Sequence, residues 1–548
     1  MSSELGIPLS IANILVNRKI QTAEAAHQFL FGTLEGLHDP YLMKGMKEAV
    51  ERILKAVSQK EKILIFGDYD VDGVLSVVML VKALESLGAD ADYFIPERLK
   101  EGYGLKEEHI EIVLKKKARL VISVDCGIKA SRFVQKANSH GIDVIITDHH
   151  LPEICLPEAL AILNPVLEDS GYPDKSLAGV GVVFKLTQAL LERNQRNSSL
   201  QEYLKLVSIG TISDVAELRG ENRLLVKFGL KELENISNTG LRSLIEVCGL
   251  GGKKISEGDV GFRIGPRINA AGRMEKADLA VRLFFSSSPD ETEELARHLD
   301  RLNTHRQKTE EKIFRQAHQR IQKGTLEKSH KILIMGCEEW HRGVIGIVAS
   351  RLKDYYSRPV IMFSYKDGKA YGSGRSIRDF SLIDCLEECK NLFLSYGGHP
   401  LAVGCSLMRE NMDALKQVLN DLALSRITDE QMRKKVYIDA TLDFDAINRF
   451  LLDHFFLLFP FGIGNPKPVF MTRNVKVVSQ PHLLKGKHTK LLLRQGGRTF
   501  EALGWDREDW AQTLHRGDSV DAAYSFQFSS YLGQERLSFS LADLRRPV

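Results

Sequence analysis

With 548 residues the chain is too long for one hydrophobic core, and its length points to about three or four domains. Hydrophobic residues make up 43% and charged residues 27%, an ordinary globular composition with apolar material for several cores. A formal net charge of +4 permits a nucleic-acid partner without demanding one, because only basic residues gathered on one surface would bind it. The opening MSSELGIPLSIANILVNRKI lacks the basic and apolar regions of a signal peptide, and no run reaches the roughly 18 apolar residues of a membrane span. The seven cysteines are scattered with no CxxC pair, which argues against a disulfide framework or a structural zinc site. A reducing cytoplasm and no membrane partner are expected.

In chain order, residues 1–55 read as an amphipathic helical lead-in to the first strand. From 56 to 285 comes an α/β unit. KILIF (62–66), ADYFI (91–95), RLVISV (119–124), DVIIT (143–147) and ALAIL (159–163) are strand candidates, with helices between the first four. This alternation predicts a parallel, doubly wound sheet, followed by a mostly helical stretch from about 165. Residues 286–328 form a long, densely charged connecting helix of about 50 Å, whose simplest reading is a solvated bridge between domains. A second α/β unit (329–432) opens with KILIMG and contains the strand PVIMF (359–363). From 433 to 548 short alternating strands (NVKVV, TKLLLR, TFEALG, DAAYSFQF, RLSFSLADL) suit a small barrel of OB type, although a sandwich shares the pattern.

Acidic residues gather where three of these strands, the first, third and fourth, end. KILIF runs into Gly67-Asp68-Tyr69-Asp70-Val71-Asp72-Gly73, RLVISV into Asp125, and DVIIT into Asp148-His149-His150. In a parallel sheet these ends share one edge, where open α/β sheets bind ligands. A lone DxD is ordinarily a turn or helix cap, and an HH pair is usually surface or packing. Three acidic strand ends in one series are different, because crowded carboxylates repel one another unless a cation sits between them. Oxygen ligands with one or two imidazoles favour Mn²⁺ or Mg²⁺.

GDYDVDG, SVDCG, TDHH and GTISDVAEL, in this order and spacing, resemble the four motifs of the RecJ exonucleases in the DHH phosphoesterase superfamily. The resemblance implies a DHH catalytic domain, a DHHA1 substrate-binding domain and an OB domain. It further implies two Mn²⁺ or Mg²⁺ ions held by Asp70, Asp72, Asp125, His149 and Asp214, with Asp125 bridging. Without it, Asp214 would read only as the end of the helical run YLKLVSIGTIS. His150 matches the second histidine, which contacts phosphate or assists proton transfer, and Asp68 the additional acid of the first motif. Many relatives carry histidine immediately before GDYDxDG; here that residue is Phe66, so the first ion has one protein ligand fewer or Asp68 compensates. The implied activity is 5′→3′ degradation of single-stranded DNA by phosphodiester hydrolysis in repair and recombination. A single-stranded-DNA-binding protein and a helicase are the implied partners.

GFRIGPRINAAGRM (261–274) places Arg263, Arg267 and Arg273 among small residues, where planar guanidinium groups can reach phosphate. The alternative is a helix start with solvated arginines. The segment resembles a RecJ signature, which makes Arg273 the leading phosphate contact; PERLKEGYGL adds Arg98 and Tyr103. GSGRSI (372–377) and YGGHPLAVGCSL (396–407) read as glycine-rich loops whose N–H groups could hold a phosphate, with Arg375, Ser376 and His399 adding contacts. With WHRGVIGIVASRL they resemble the DHHA1 domain. In the last domain Lys485, Lys487, Lys490, Phe526 and Tyr531 are candidate strand contacts, each equally readable as ordinary surface or core. Two rivals remain: a short-oligonucleotide or cyclic-dinucleotide phosphodiesterase of the same superfamily, which would lack the C-terminal barrel, and a non-catalytic DNA-binding relative, which would have lost metal ligands.

Overall fold

The computed structural model describes residues 1–98, 100–102, 104–195, 197–324, 330–531 and 534–547; Tyr103 and the side chain of Tyr531 lie outside the described residues. Strands β1 (Lys62–Gly67), β2 (Asp90–Phe94), β3 (Leu120–Val124), β4 (Asp143–Thr147) and β5 (Ala161–Leu163) form an all-parallel sheet in the order β2-β1-β3-β4-β5. Every residue of β3 is buried, as a strand covered on both faces requires. One face packs the helices Val71–Ser86, Gly179–Arg193 and Leu204–Ser213; the other packs Ile110–Lys116 and Ser131–Ser139. Strand order reverses between β1 and β3, which opens a crevice at their carboxyl ends.

The connecting helix Pro289–Gln322 is one unbroken element of 34 residues. It is not solvated all round. Leu295, Leu299, Asn303, Arg306, Ile313 and Ala317 lie on a buried stripe, because the helix packs on the catalytic unit and then on the second α/β unit.

That second unit contains β6 (Leu333–Cys337), β7 (Val360–Lys366), β8 (Lys369–Arg375), β9 (Phe393–His399) and β10 (Ala402–Met408) in the order β6-β7-β8-β10-β9. The expected glycine loops are corrected here. Gly372 and Gly374 belong to β8 and pair across to β10, so their backbone serves a sheet instead of a phosphate loop. A Cβ at Gly372 would lie 2.4 Å from the Phe363 ring and 2.5 Å from Cys405 Sγ; these glycines let large side chains pack onto the strand.

The C-terminal part closes into a five-stranded barrel of OB type. Strands β11 (Ala440–Thr441), β12 (Phe470–Val477), β13 (His482–Leu484), β14 (His488–Gln495), β15 (Arg498–Gly504), β16 (Ser519–Tyr531) and β17 (Gln534–Arg545) run β11-β12-β16-β17-β15-β14-β13, and pairing of β12 with β14 completes the ring. Phe526 is a core residue, fully buried and stacked on Phe470 at 4.7 Å, so it is no strand contact. Lys490 pairs with Glu501 at 2.8 Å and Lys487 with Asp506 at 3.5 Å.

The N-terminal helices Leu9–Asn17 and Ala23–Phe31 share their hydrophobic core with this barrel. Arg223, on the helix Gly220–Glu232, ties the parts together. Its guanidinium donates to the carbonyls of Phe29, Leu457, Leu458, Phe459 and Pro460 at 2.9–3.3 Å and lies 3.8 Å over the Phe29 ring.

Candidate metal centre and facing arginines

β1 delivers Asp68 and Asp70 to the crevice, and Asp72 follows in the first turn of the helix Val71–Ser86. Asp70 caps that helix, its Oδ1 accepting from the N–H groups of Asp72 (2.9 Å) and Gly73 (3.2 Å). Asp72 is 1% exposed and is gripped by a second helix start, accepting from Gly179 N at 2.8 Å and Val180 N at 2.6 Å. Asp125, just past β3, adopts the left-handed conformation (φ 59°), which turns the chain under the neighbouring carboxylates. Gly179 makes room for it, since a Cβ there would lie 2.6 Å from Asp125 Oδ1.

His149 sits at the centre. Its Nε2 lies 3.2 Å from Asp125, 3.8 Å from Asp214 and 4.0 Å from Asp72. Asp214 enters as the C-cap of the helix Leu204–Ser213, a junction set by tertiary packing. Among the described residues, three groups have ligand atoms within 4.8 Å of one another: Asp68–Asp70–Asp125, Asp72–His149–Asp214 and Asp125–His149–His150. Asp148 is wholly buried and positions the histidines: its Oδ1 accepts from the N–H groups of both and from His150 Nδ1 at 2.7 Å, while Oδ2 accepts from Ile128 N.

The electrostatics indicate what the cluster can hold. Burial and the nearby Asp70 charge push Asp72 up to about 7. Burial, with neighbouring carboxylates, pushes Asp68, Asp125 and Asp214 well above the usual range. Burial raises Asp148 too, but the His150 hydrogen bond outweighs it and holds that carboxyl low. Burial lowers His150, yet Asp148 raises it overall; His149, buried beside His150, is held down at about 4 and stays neutral. Asp68 Oδ1 and His149 Nε2 are buried without a hydrogen bond. Unused lone pairs among mutually repelling carboxylates fit hard divalent cations. Phe66 takes no part: it is 1% exposed and packs on Phe94 (5.5 Å) and His109 (5.1 Å).

Opposite the acids stands a basic wall. Arg273, at the end of the helix Gly265–Met274, bonds Gly343 O of the second α/β unit at 3.3 Å. Burial, with Arg98, Arg306 and Arg375 close by, lowers it to about 9 despite the pull of Asp70. Arg98 lies over the Tyr69 ring at 4.9 Å. Arg375 braces its own strand through Gly374 O at 2.7 Å. His399 stands at the end of β9, its ring partly shielded from solvent, which lowers it; the charge of His150 across the crevice lowers it further. Ser376 is 4% exposed and donates to Phe380 O, which directs its hydroxyl inward. Arg263 and Arg267 are committed elsewhere, to Cys248 O and Asp259 and to Asp300 respectively, so Arg273 alone of that segment faces the acids.

Sequence reasoning missed Arg306, which bonds Asn303 (2.7 Å) and Glu310 (2.9 Å) behind Arg273. The signal was present: Asn303 and Arg306 occupy the apolar stripe of the connecting helix, where polar residues need a reason to be.

Family models match three segments: the DHH family, N-terminal domain, over 62–211; the DHHA1 domain over 329–424; and the RecJ OB domain over 438–543. The single-stranded-DNA-specific exonuclease RecJ of Bacillus subtilis is 36% identical over 99% of this chain and 69% of its own length; that of Dickeya dadantii is 33% identical over 99% and 98%. RecJ of Thermus thermophilus in complex with Mn²⁺ superposes with a TM-score of 0.85 at 31% identity, covering all of this chain and 77% of that one. A manganese-bound exonuclease RecJ gives 0.62 at 38% identity, covering 71% and 96%. Similarity of this depth along nearly the whole length, with all three domain models in order, places the chain in the RecJ family of the DHH superfamily.

Proposed function

We propose that the protein is a metal-dependent exonuclease that degrades single-stranded DNA in the 5′→3′ direction by two-ion phosphodiester hydrolysis. The observation that carries this reading is the set of overlapping carboxylate and imidazole groups, with Asp125 common to two of them, set against buried arginines. Asp70, Asp72, Asp125, His149 and Asp214 would hold the ions, with Asp68 beside them. When bound, Mn²⁺ or Mg²⁺ supplies activation of water and neutralisation of charge on the scissile phosphate.

The chain's own groups do the rest. Asp148 accepts from the backbone N–H groups of both histidines and from the His150 ring, and the hydrogen bond of the His149 ring to the Leu177 backbone leaves Nε2 as an acceptor. His150, oriented by its hydrogen bond to Asp148, is placed to contact the phosphate or assist proton transfer. Arg273, with Arg98 and Arg375, binds phosphate oxygens, and Arg306 supports Arg273; His399 belongs to the same wall and faces His150. The Ser376 hydroxyl fixes the 376–380 turn through Phe380 O, and its N–H donates to Leu401 O in the turn that follows His399. Polarity, a role in repair and recombination, cytoplasmic location and the partnership with a single-stranded-DNA-binding protein and a helicase rest on likeness to RecJ. Among the described residues no helix is long and apolar enough to cross a membrane.

The test compares Mn²⁺-dependent release of mononucleotides from a 5′-phosphorylated 40-mer with hydrolysis of a dinucleotide. Strong preference for the 40-mer is expected. Preference for the dinucleotide would reassign the substrate to short oligonucleotides.

A further inference from the structure

The metal centre and the arginines described above are groups suited to phosphate. A strand held by phosphates alone has no contact that fixes its bases. We propose that Phe262, together with Val215, forms an apolar platform on which a base next to the scissile phosphate stacks; the inference rests on the exonuclease reading above.

Phe262 is 83% exposed, while Val260 and Ile264 on either side of it are fully buried. The three lie on a single π-helical turn, Val260–Ile264, an arrangement that recurs at functional sites because it redirects one side chain. The turn is fixed beside the metal centre. The backbone at Gly265 lies so close that a Cβ there would be 2.4 Å from Ser213 Oγ, and one at Gly261 would be 3.7 Å from Ile212 Cγ2. Ile212 and Ser213 are the last residues before the ligand Asp214.

Val215, immediately after Asp214, is the second observation. It holds φ at 63°, in the left-handed region that β-branched residues avoid, and is 61% exposed. A helix end of this kind ordinarily carries glycine or asparagine. A strained valine that displays its side chain to solvent beside a metal ligand calls for a ligand contact. Three residues beyond Val215 the chain meets the loop that enters the barrel. Leu218 N donates to Ile463 O at 2.7 Å, and Ile463 is 51% exposed on the loop that enters the barrel. The occupant is therefore a nucleobase of the strand whose phosphate lies at the adjoining centre. Stacking on an aromatic face tolerates any base, which suits an enzyme that must accept every sequence.

The experiment uses the full chain, Mn²⁺ and 5′-phosphorylated 20-mers carrying one abasic nucleotide at each of the first four positions. On the intact strand Phe262→Ala is expected to raise KM about 10-fold, and Phe262→Trp to restore it. On the strand abasic at the stacked position, Phe262→Ala and the parent protein should have equal KM. An unchanged KM for Phe262→Ala on the intact strand, or the same penalty at every abasic position, overturns the proposal. A parent protein that releases no nucleotide would instead overturn the exonuclease reading and this inference together.

Discussion

Replacing Asp125 by Asn should make the metal-free protein more stable while abolishing its activity. Asn keeps the shape and tolerates the left-handed backbone that Asp125 adopts. What it removes is charge. Ligand oxygens of Asp68, Asp70 and Asp125 all lie within 4.8 Å of one another, and at an effective dielectric of about 20 each such pair of charges repels by about 3 kcal/mol. Part of this is already relieved because the buried carboxyls hold protons, so a net gain of about 2 kcal/mol is a reasonable magnitude. With Mn²⁺ present the order reverses, since Asp125 belongs to two of the three ligand groups and its loss weakens both. The assay is thermal melting of both proteins in chelator and in Mn²⁺, beside nucleotide release and single-strand binding. The variant should melt higher in chelator, gain little from Mn²⁺, lose cleavage and keep strand binding. A lower melting temperature in chelator would refute the electrostatic reasoning, and retained cleavage would refute the ligand assignment.

Gly179→Ala places a methyl group 2.6 Å from Asp125 Oδ1, so Mn²⁺ affinity measured by calorimetry should fall at least about 10-fold with little change in helix content; unchanged affinity would mean that Asp125 can shift freely. Between about pH 6.5 and 8 the metal-free protein should lose stability. The folded-state values of Asp68, Asp72, Asp125 and Asp214 lie above the unfolded ones, so the unfolded chain binds fewer protons there. His150, also raised, loses its contribution over the same range, whereas the opposing gain from His149 fades above about pH 6.5. Melting curves that rise with pH in chelator would contradict this. Arg223→Met strips a donor from five carbonyls, of which those of Leu458 and Pro460 keep Asn465. At about 1–2 kcal/mol for each of the other three, the cost is about 3–6 kcal/mol. Limited proteolysis should then cut near residues 457–467 first, with 40-mer degradation impaired more than dinucleotide hydrolysis; a parent-like digestion pattern would show that the clamp is dispensable.

What could be read from the chain alone was local. Period and punctuation mark β1, β3 and β4, and each ends on its acid because the carboxyl end of a strand is where the next residue meets the crevice. Asp70, Asp125 and His149 were therefore legible as neighbours, and the barrel strands by their alternation. Asp214 had no such signature and came from resemblance, since a helix C-cap reaches the centre only through the way Leu204–Ser213 packs on Val71–Ser86. Tertiary structure alone decided the rest. The amides of Gly179 and Val180 that hold Asp72 lie more than 100 positions away, and nothing in their spacing announces it. The glycines of β8 looked like a phosphate loop because composition cannot distinguish a glycine that frees the backbone from one that admits a neighbouring ring. The N-terminal helices, read as a lead-in to the first strand, share their core with the barrel at the other end of the chain. Amphipathicity states that a face will be buried but carries no information about its partner.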